Sequence, residues 1–140
     1  MDGIQGAVLN VKMNYIEAWT EARRSVAAQY DRLLAKLPLA RPQPPAHSRH
    51  VYHVYALGLP RRDEVLSALQ EAGVGVGIHY PVPVHLQKAY ASLGYRAGDF
   101  PITERLANQF LSLPIYPELR SEQVNEVVAE LEKVGFVEAA

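Results

Sequence analysis

The first quarter of the chain carries an apolar stripe that is too long for one small domain to cover. Apolar side chains recur at three- and four-residue steps over residues 4–37, the spacing of one face of an amphipathic helix. Asp2 is placed to cap this helix with Gln5 as its capping-box partner, and Pro38 ends it. A helix of about 35 residues would span about 50 Å. We therefore expect part of the stripe to lie against something else, and a bend near Met13-Asn14 is one compromise.

Residues 38–140 are predicted to form a single small α+β domain after this helix. A proline-rich loop at residues 38–49 comes first. The predicted elements after it are a strand at 51–59, apolar on both faces and therefore central; a helix at 60–72 closed by Gly73; a strand at 74–80; short helices at 86–93 and 103–111, the latter with Leu106 and Phe110 inward; an extended stretch at 112–117; and a last helix capped by Ser121, with Val124, Val127, Val128, Leu131 and Val134 inward. This order favours a two-layer fold with the helices mainly on one face of a small sheet.

The second predicted strand ends in the segment with the clearest potential to bind a ligand. Gly75 and Gly77 share a face with His79, and paired glycines on one strand face indicate that something approaches it closely. Strand ends and the loops beyond them commonly hold ligands. His79 and Tyr80 offer donors and ring faces to hydroxyls, phosphates or a planar cofactor. The alternative is a structural turn in which Tyr80 and Pro81 pack on the core.

The composition excludes several classes of function. With 14 basic and 15 acidic residues the net charge is -1, so the chain lacks the basic field that nucleic acid or an anionic membrane would favour. The absence of cysteine excludes disulfides, thiolate metal sites and cysteine nucleophiles. No apolar run approaches the roughly 20 residues of a membrane span, and no signal segment is evident. We expect a cytoplasmic protein without nucleic-acid or membrane partners.

Histidine and lysine patterns elsewhere predict neither a metal site nor a covalent cofactor anchor. His47, His50 and His53 recur at steps of three, which suits a helix face, whereas His50 and His53 begin the predicted strand. No HExxH motif or carboxylate cluster completes a metal site. Each lysine lies on a predicted helix among polar neighbours, so none predicts the desolvated amine of a Schiff base. The lysines are Lys12, Lys36, Lys88 and Lys133.

Short motifs spread over the whole chain form one collinear pattern. They are Asp2-Gly3-Ile4-Gln5-Gly6-Ala7-Val8-Leu9, Val51-Tyr52-His53-Val54-Tyr55, Gly77-Ile78-His79-Tyr80-Pro81, Pro83-x-His85, Gly98-Asp99-Phe100-Pro101 and Leu111-Ser112-Leu113-Pro114-Ile115-Tyr116-Pro117. Together with the final helix, these motifs resemble the DegT/DnrJ/EryC1/StrS aminotransferase family.

The resemblance implies a function and a set of site residues. Members of this family are fold-type I enzymes that use pyridoxal 5'-phosphate (PLP) and transfer an amino group, usually from glutamate, to a keto carbon of a nucleotide-linked sugar, as homodimers with active sites at the subunit interface. The chain would be the small C-terminal domain, with residues 1–37 as the interdomain helix. By resemblance, His79 and Tyr80 face the nucleotide sugar with His85 nearby, and Asp2 and Gln5 lie near the cofactor and interface.

The resemblance assigns no catalytic residue to this chain. The family's cofactor lysine and phosphate-binding residues belong to a larger N-terminal domain, which we expect to be absent here. We therefore expect a fragment of an enzyme of amino-sugar, polysaccharide or antibiotic-sugar biosynthesis that binds no PLP and is inactive alone. An alternative is a stand-alone binding or dimerisation module, in which the first half of the helix covers its stripe on a partner. A small ligand-sensing α+β domain rests on architecture alone.

Overall fold

The long apolar stripe folds as two helices. The computed structural model describes residues 1–135. In it, α1 spans Gly3–Met13 and α2 spans Ile16–Leu33, and a turn of 3₁₀-helix at Leu34–Lys36 follows before Pro38. Between the helices the Tyr15 N–H bonds the Lys12 carbonyl at 3.0 Å, a three-residue closure that tightens a last helical turn. The expected bend is confirmed, one residue later than predicted, and the uninterrupted helix is wrong.

The two helices differ in burial. Among residues 1–135 nothing buries any side chain of α1, and Ile4 remains 80% exposed. By contrast, α2 buries Val26, Ala27 and Tyr30 in the core. The predicted capping box is confirmed, since Asp2 Oδ1 accepts from the Gln5 N–H at 2.8 Å and Gln5 Oε1 accepts from the Asp2 N–H at 3.3 Å. The first half of the stripe is thus a formed helix whose apolar face lies open.

The sheet is smaller than predicted. β1, Tyr55–Gly58, pairs antiparallel with β2, Phe110–Leu113. The predicted strand at 51–59 loses its first half because Tyr52 has a φ of 46°, in the left-handed region that a strand does not use. The Tyr52 N–H instead donates to His50 Nδ1 at 3.0 Å. Residues 51–54 therefore leave the ladder.

The predicted strand at 74–80 is wrong. Only Gly77 pairs with the sheet, through an isolated bridge on the outer edge of β2 in which its carbonyl accepts from the Ser112 N–H at 2.8 Å. Upstream, the Val76 N–H turns back to the Val74 carbonyl at 3.0 Å. A matching bridge joins Ala40 to Gly58 on the outer edge of β1. β1 therefore lies between β2 and Ala40, and each edge of the sheet has one bridge in place of a third strand.

Two of the predicted helices form with altered ends, and a third does not form. α3 spans Arg62–Glu71, and Gly73 follows with a φ of 79°, which confirms the predicted left-handed closure. α4 spans Pro101–Gln109. The prediction that this helix reaches residue 111 with Phe110 inward is wrong, because pairing with β1 draws residues 110–113 into β2. The predicted helix at 86–93 is instead two short 3₁₀ turns, Val84–Leu86 and Lys88–Leu93.

The last helix, α5, spans Ser121–Val134. Ser121 is its first helical residue and not its cap; the Arg120 N–H instead donates to Gln123 Oε1 at 3.1 Å. The predicted inner face is confirmed for its first four members and partly for Val134, which is half-buried. The end of the expected domain, residues 136–140, lies outside the described residues.

One apolar core joins α2, β1, α3, β2 and α5. α5 packs on α2 and on α3, while α3 also meets β2 and α4 meets β1. Leu57 stands opposite Leu111 in the sheet and both are fully buried. The fold is therefore the predicted α+β class, with helices on a two-stranded sheet. Within residues 1–135 no helix combines the length and apolar character needed to cross a membrane.

Candidate functional site

The segment around His79, which the pattern of Gly75 and Gly77 indicated, lies on the sheet face opposite the helix core. Successive strand residues point to opposite faces, so with Leu111 and Leu113 in the core, the Ser112 side chain points away from the core helices. Ser112 is nevertheless only 6% exposed. Its backbone exchanges two hydrogen bonds with Gly77, at 2.8 and 3.2 Å. This bridge holds the start of the segment against the edge of β2.

His79 folds back over this bridge. Its Nδ1 lies 3.0 Å from Ser112 Oγ. A Cβ added to Gly77 would lie 3.3 Å from His79 Cε1, whereas a Cβ on Gly75 would meet nothing within 4 Å. The close approach predicted from the glycines is therefore real at Gly77, where the approaching group is the ring of His79, and wrong at Gly75. His79 is nonetheless an exposed residue, so its ring is held on one side and open on the other.

Tyr80 projects away from the core. It is 75% exposed, its ring meets that of His79 edge-on with centroids 5.7 Å apart, and the peptide bond between the two residues is cis. The alternative in which Tyr80 and Pro81 pack on the core is therefore wrong. An open, largely apolar groove of about 570 Å³ begins here. It is lined by Tyr80, Pro81, Val82, Leu86, Gln87 and Lys88.

His85 occupies a different environment from His79. Its side chain is 8% exposed, and its Nε2 lies 3.0 Å from Glu104 Oε1 on α4. The same carboxylate accepts from the backbone N–H groups of Gly98, at 2.9 Å, and Phe100, at 3.3 Å. The Gly98 N–H, followed by the His85 side chain, holds the pKa of the Glu104 carboxyl below its ordinary value. His85 therefore joins its loop to α4 through Glu104. Its side chain is enclosed, whereas His79 is exposed.

A second concave surface lies on the loop that this carboxylate fastens. It is an apolar cavity of about 380 Å³ lined by Val84, His85, Tyr90, Leu93, Tyr95, Phe100 and Thr103. The Phe100 ring packs against His85 at 4.8 Å and against Tyr95 at 5.2 Å. Glu104 and Ser112, the two residues that organise both histidines, were not predicted from the sequence. The only signal in the sequence was that Ser112 lies within one of the motifs and that Glu104 closely follows another.

Apart from Lys88, which lines the groove, the other residues that the sequence singled out lie away from this region. Among the described residues, the side chains of Asp2 and Gln5 hydrogen-bond only to each other's backbone N–H groups. No group of three or more potential metal ligands assembles within residues 1–135, and the Nδ1 of His50 is engaged by the Tyr52 N–H. All four lysines are exposed, whereas a Schiff-base lysine requires a desolvated amine. The lysines of this chain therefore do not fit a PLP anchor.

Comparison with known proteins identifies the class. The sequence model of the DegT/DnrJ/EryC1/StrS aminotransferase family matches residues 1–132, and the chain belongs to that family. A "pleiotropic regulatory protein" of Geobacillus stearothermophilus is 41% identical over 134 residues, which are 94% of this chain and 36% of the relative. A dTDP-3-amino-3,4,6-trideoxy-alpha-D-glucose transaminase of Streptomyces venezuelae is 38% identical over 129 residues, 91% of this chain and 34% of the relative.

Solved structures agree in fold. A crystal structure of S. venezuelae DesV in complex with a ketimine intermediate superposes with a TM-score of 0.91 and 36% identity over 96% of this chain, which is 36% of that one. The chain therefore spans about a third of the length of the relatives that it matches.

Proposed function

We propose that this chain forms the C-terminal third of a PLP-dependent aminotransferase that acts on keto-sugar nucleotides in amino-sugar, polysaccharide or antibiotic-sugar biosynthesis. The observation that carries the proposal is the superposition of 96% of the chain on a DesV structure that holds a ketimine intermediate. In the proposed enzyme, glutamate is the amino donor and the protein is a cytoplasmic homodimer.

The open face of α1 supports the proposed domain arrangement. Residues 1–37 would form the interdomain helix and residues 38–140 the small domain of a fold-type I enzyme. Val8 and Val11 are 51% and 59% exposed on a helix that buries nothing among residues 1–135. A larger cofactor-bearing domain would cover this face. Asp2 and Gln5, at the start of α1, would then lie near the cofactor and the subunit interface.

The geometry of the 77–88 segment supports a role in substrate binding. His79 and Tyr80 are both exposed with their rings in contact, and Tyr80 lines the apolar groove. Lys88 adds a cation to the lining, which suits a phosphate-bearing ligand. His79 and Tyr80 would contact the nucleotide sugar directly. His85 would contribute close by, as part of the loop that it fastens to Glu104.

The chemistry of amino transfer would come from outside this chain. Bound PLP supplies the electron sink for that reaction, and no lysine here fits its anchor, because all four are exposed. Mixing the purified chain with PLP should therefore give no internal-aldimine absorbance band. A band that disappears when one of the four lysines is replaced would refute this part of the proposal.

A chimera tests the function directly. This chain would replace the matching C-terminal third of the Streptomyces venezuelae transaminase, and transamination of keto-sugar nucleotides would be measured. The chimera should be active, and His79→Ala and Tyr80→Phe should raise KM for the sugar nucleotide. Tyr90→Phe is the matched control, since Tyr90 is 44% exposed on the other concave surface of the loop. A folded chimera without activity, or a KM that Tyr90→Phe raises equally, would contradict the proposal.

The same open face of α1 favours a second candidate, a stand-alone dimerisation module. Size-exclusion chromatography with light scattering distinguishes the two. A dimer that Val8→Glu dissociates, while Asn10→Glu leaves it intact, would favour the module. A well-behaved monomer would contradict it.

A further inference from the structure

The hydroxyl of Ser112 has a single available partner. Ser112 is 6% exposed, and among residues 1–135 the only hydrogen-bond partner of its Oγ is His79 Nδ1, at 3.0 Å. A serine hydroxyl has one donor hydrogen, and leaving a buried donor without an acceptor costs roughly 1–3 kcal/mol. The two groups can be arranged in two ways, and they differ in how well they satisfy this donor.

In the first arrangement Nδ1 carries the imidazole proton and donates to Oγ. The serine hydrogen then has no acceptor among the described residues. In the second arrangement the hydroxyl donates to an unprotonated Nδ1, and every donor at the contact is satisfied. Neutral imidazole carries its one proton on the other nitrogen in that case. The second arrangement therefore places the proton on Nε2 of His79.

The geometry points to Ser112 as a positioning residue that fixes neutral His79 in the Nε2–H tautomer, so that the exposed edge of the ring presents a hydrogen-bond donor. Nε2 makes no hydrogen bond within residues 1–135, and His79 is an exposed residue. Under the proposed function, on which this role rests, the group that Nε2–H meets is an acceptor oxygen of the sugar nucleotide.

Gly77 is the second residue that positions the ring of His79. A Cβ added to Gly77 would lie 3.3 Å from Cε1 of the His79 ring. At that distance the ring would have to shift by a few tenths of an ångström to accept a side chain at this position, which would disturb its contact with Ser112. Two backbone hydrogen bonds between Gly77 and Ser112 fix the distance between these residues. The ring is thus oriented by one hydrogen bond and one steric contact from residues that are themselves bonded together.

The tautomer is measurable in this chain without any ligand. Long-range proton–nitrogen correlation spectra of the ¹⁵N-labelled chain, recorded where His79 is neutral, distinguish the two ring nitrogens, and His79→Gln assigns the signal. The wild type should show mainly the Nε2–H form. Ser112→Ala should lower the ratio of the two tautomers by roughly 2- to 10-fold, the range that one net hydrogen bond supplies. Ser112→Thr, which keeps the hydroxyl, should retain the wild-type ratio.

The glycines provide a matched pair. Gly77→Ala should also lower the ratio, whereas Gly75→Ala should not, because its Cβ meets nothing within 4 Å. A wild-type spectrum dominated by Nδ1–H, or a ratio unchanged by Ser112→Ala, would overturn the proposal. Since no ligand is present, such a failure leaves the proposed aminotransferase function untouched. An inactive chimera, conversely, leaves the tautomer result standing.

Discussion

Deleting residues 1–13 should leave the rest of the chain as stable as before. Nothing within residues 1–135 buries a side chain of α1, so its removal exposes no core. The helix has 11 residues, below the roughly 12–15 at which isolated helices become stable in water, and Gly6 weakens it by about 1 kcal/mol relative to alanine. We therefore expect the free energy of unfolding to change by less than about 0.5 kcal/mol, as for an exposed substitution.

A core variant sets the scale for this comparison. Leu34, just after α2, is fully buried, and Leu34→Ala should lower the free energy of unfolding by about 2–5 kcal/mol. For a chain of this size that corresponds to a fall in Tm of about 8–20 °C. Trp19 is the only tryptophan and stacks on Tyr15 with centroids 5.7 Å apart. Its fluorescence in a urea titration reports unfolding of α2 in both variants.

Hydrogen exchange completes the assay. The amides of α1 should exchange orders of magnitude faster than those of α2, because only α2 is held by tertiary packing. A loss of more than about 1 kcal/mol on deletion, or equal protection of both helices, would refute the reasoning. If that protection depends on protein concentration, a second copy covers the helix; if it does not, the helix packs within one chain.

Three further outcomes test two buried tyrosines and the loop carboxylate of Glu104. In urea titrations, Tyr55→Phe should lower the free energy of unfolding by about 1.5–3 kcal/mol, because the Tyr55 hydroxyl donates to the carboxylate of Asp31 at 2.6 Å. Tyr30→Phe should lower it by about 1 kcal/mol, because the Tyr30 hydroxyl donates to a neutral carbonyl, that of Pro114, at 3.0 Å. Burial raises the pKa of both phenols, so in a spectrophotometric titration they should ionise after most of the eight tyrosines, and the stability that their neutral forms confer should fall as the pH rises above about 10. The folded-state pKa of Glu104 lies below its ordinary 4.5, so the stability that its carboxylate confers is present at neutral pH and is lost as the pH falls below 4.5 towards the folded-state pKa. Hydrogen-exchange protection of the Gly98 amide, relative to a core amide, should therefore drop in acid, and it should not drop in Glu104→Gln.

The parts of the fold that follow from local chemistry were predictable. The capping box of Asp2 and Gln5, the left-handed Gly73 and the inner face of α5 each depend on neighbours within one or two helical turns. The segment at 74–80 alternates like a strand, yet its pairing is decided by what lies beside it. Only Gly77 pairs with β2 through its backbone, and sequence periodicity contains no information about that partner.

The candidate site divides in the same way. The glycine pattern and the following prolines pointed to His79 and Tyr80 as a candidate ligand-binding segment. The contact that orients His79 joins residues 33 positions apart, and the motif around Ser112 does not indicate that its hydroxyl meets His79. His85 is matched to Glu104 across 19 positions. Such pairings arise from tertiary packing, so motif spacing alone could not separate the exposed histidine from the enclosed one.

The loop that Glu104 fastens has a consequence for how relatives could diverge. The three groups that its carboxylate accepts from, on His85, Gly98 and Phe100, all lie between residues 85 and 104. A block exchanged at those two positions would therefore carry its own closure into a new host. Recombination within the family could replace the whole loop in one event, with the core helices unchanged.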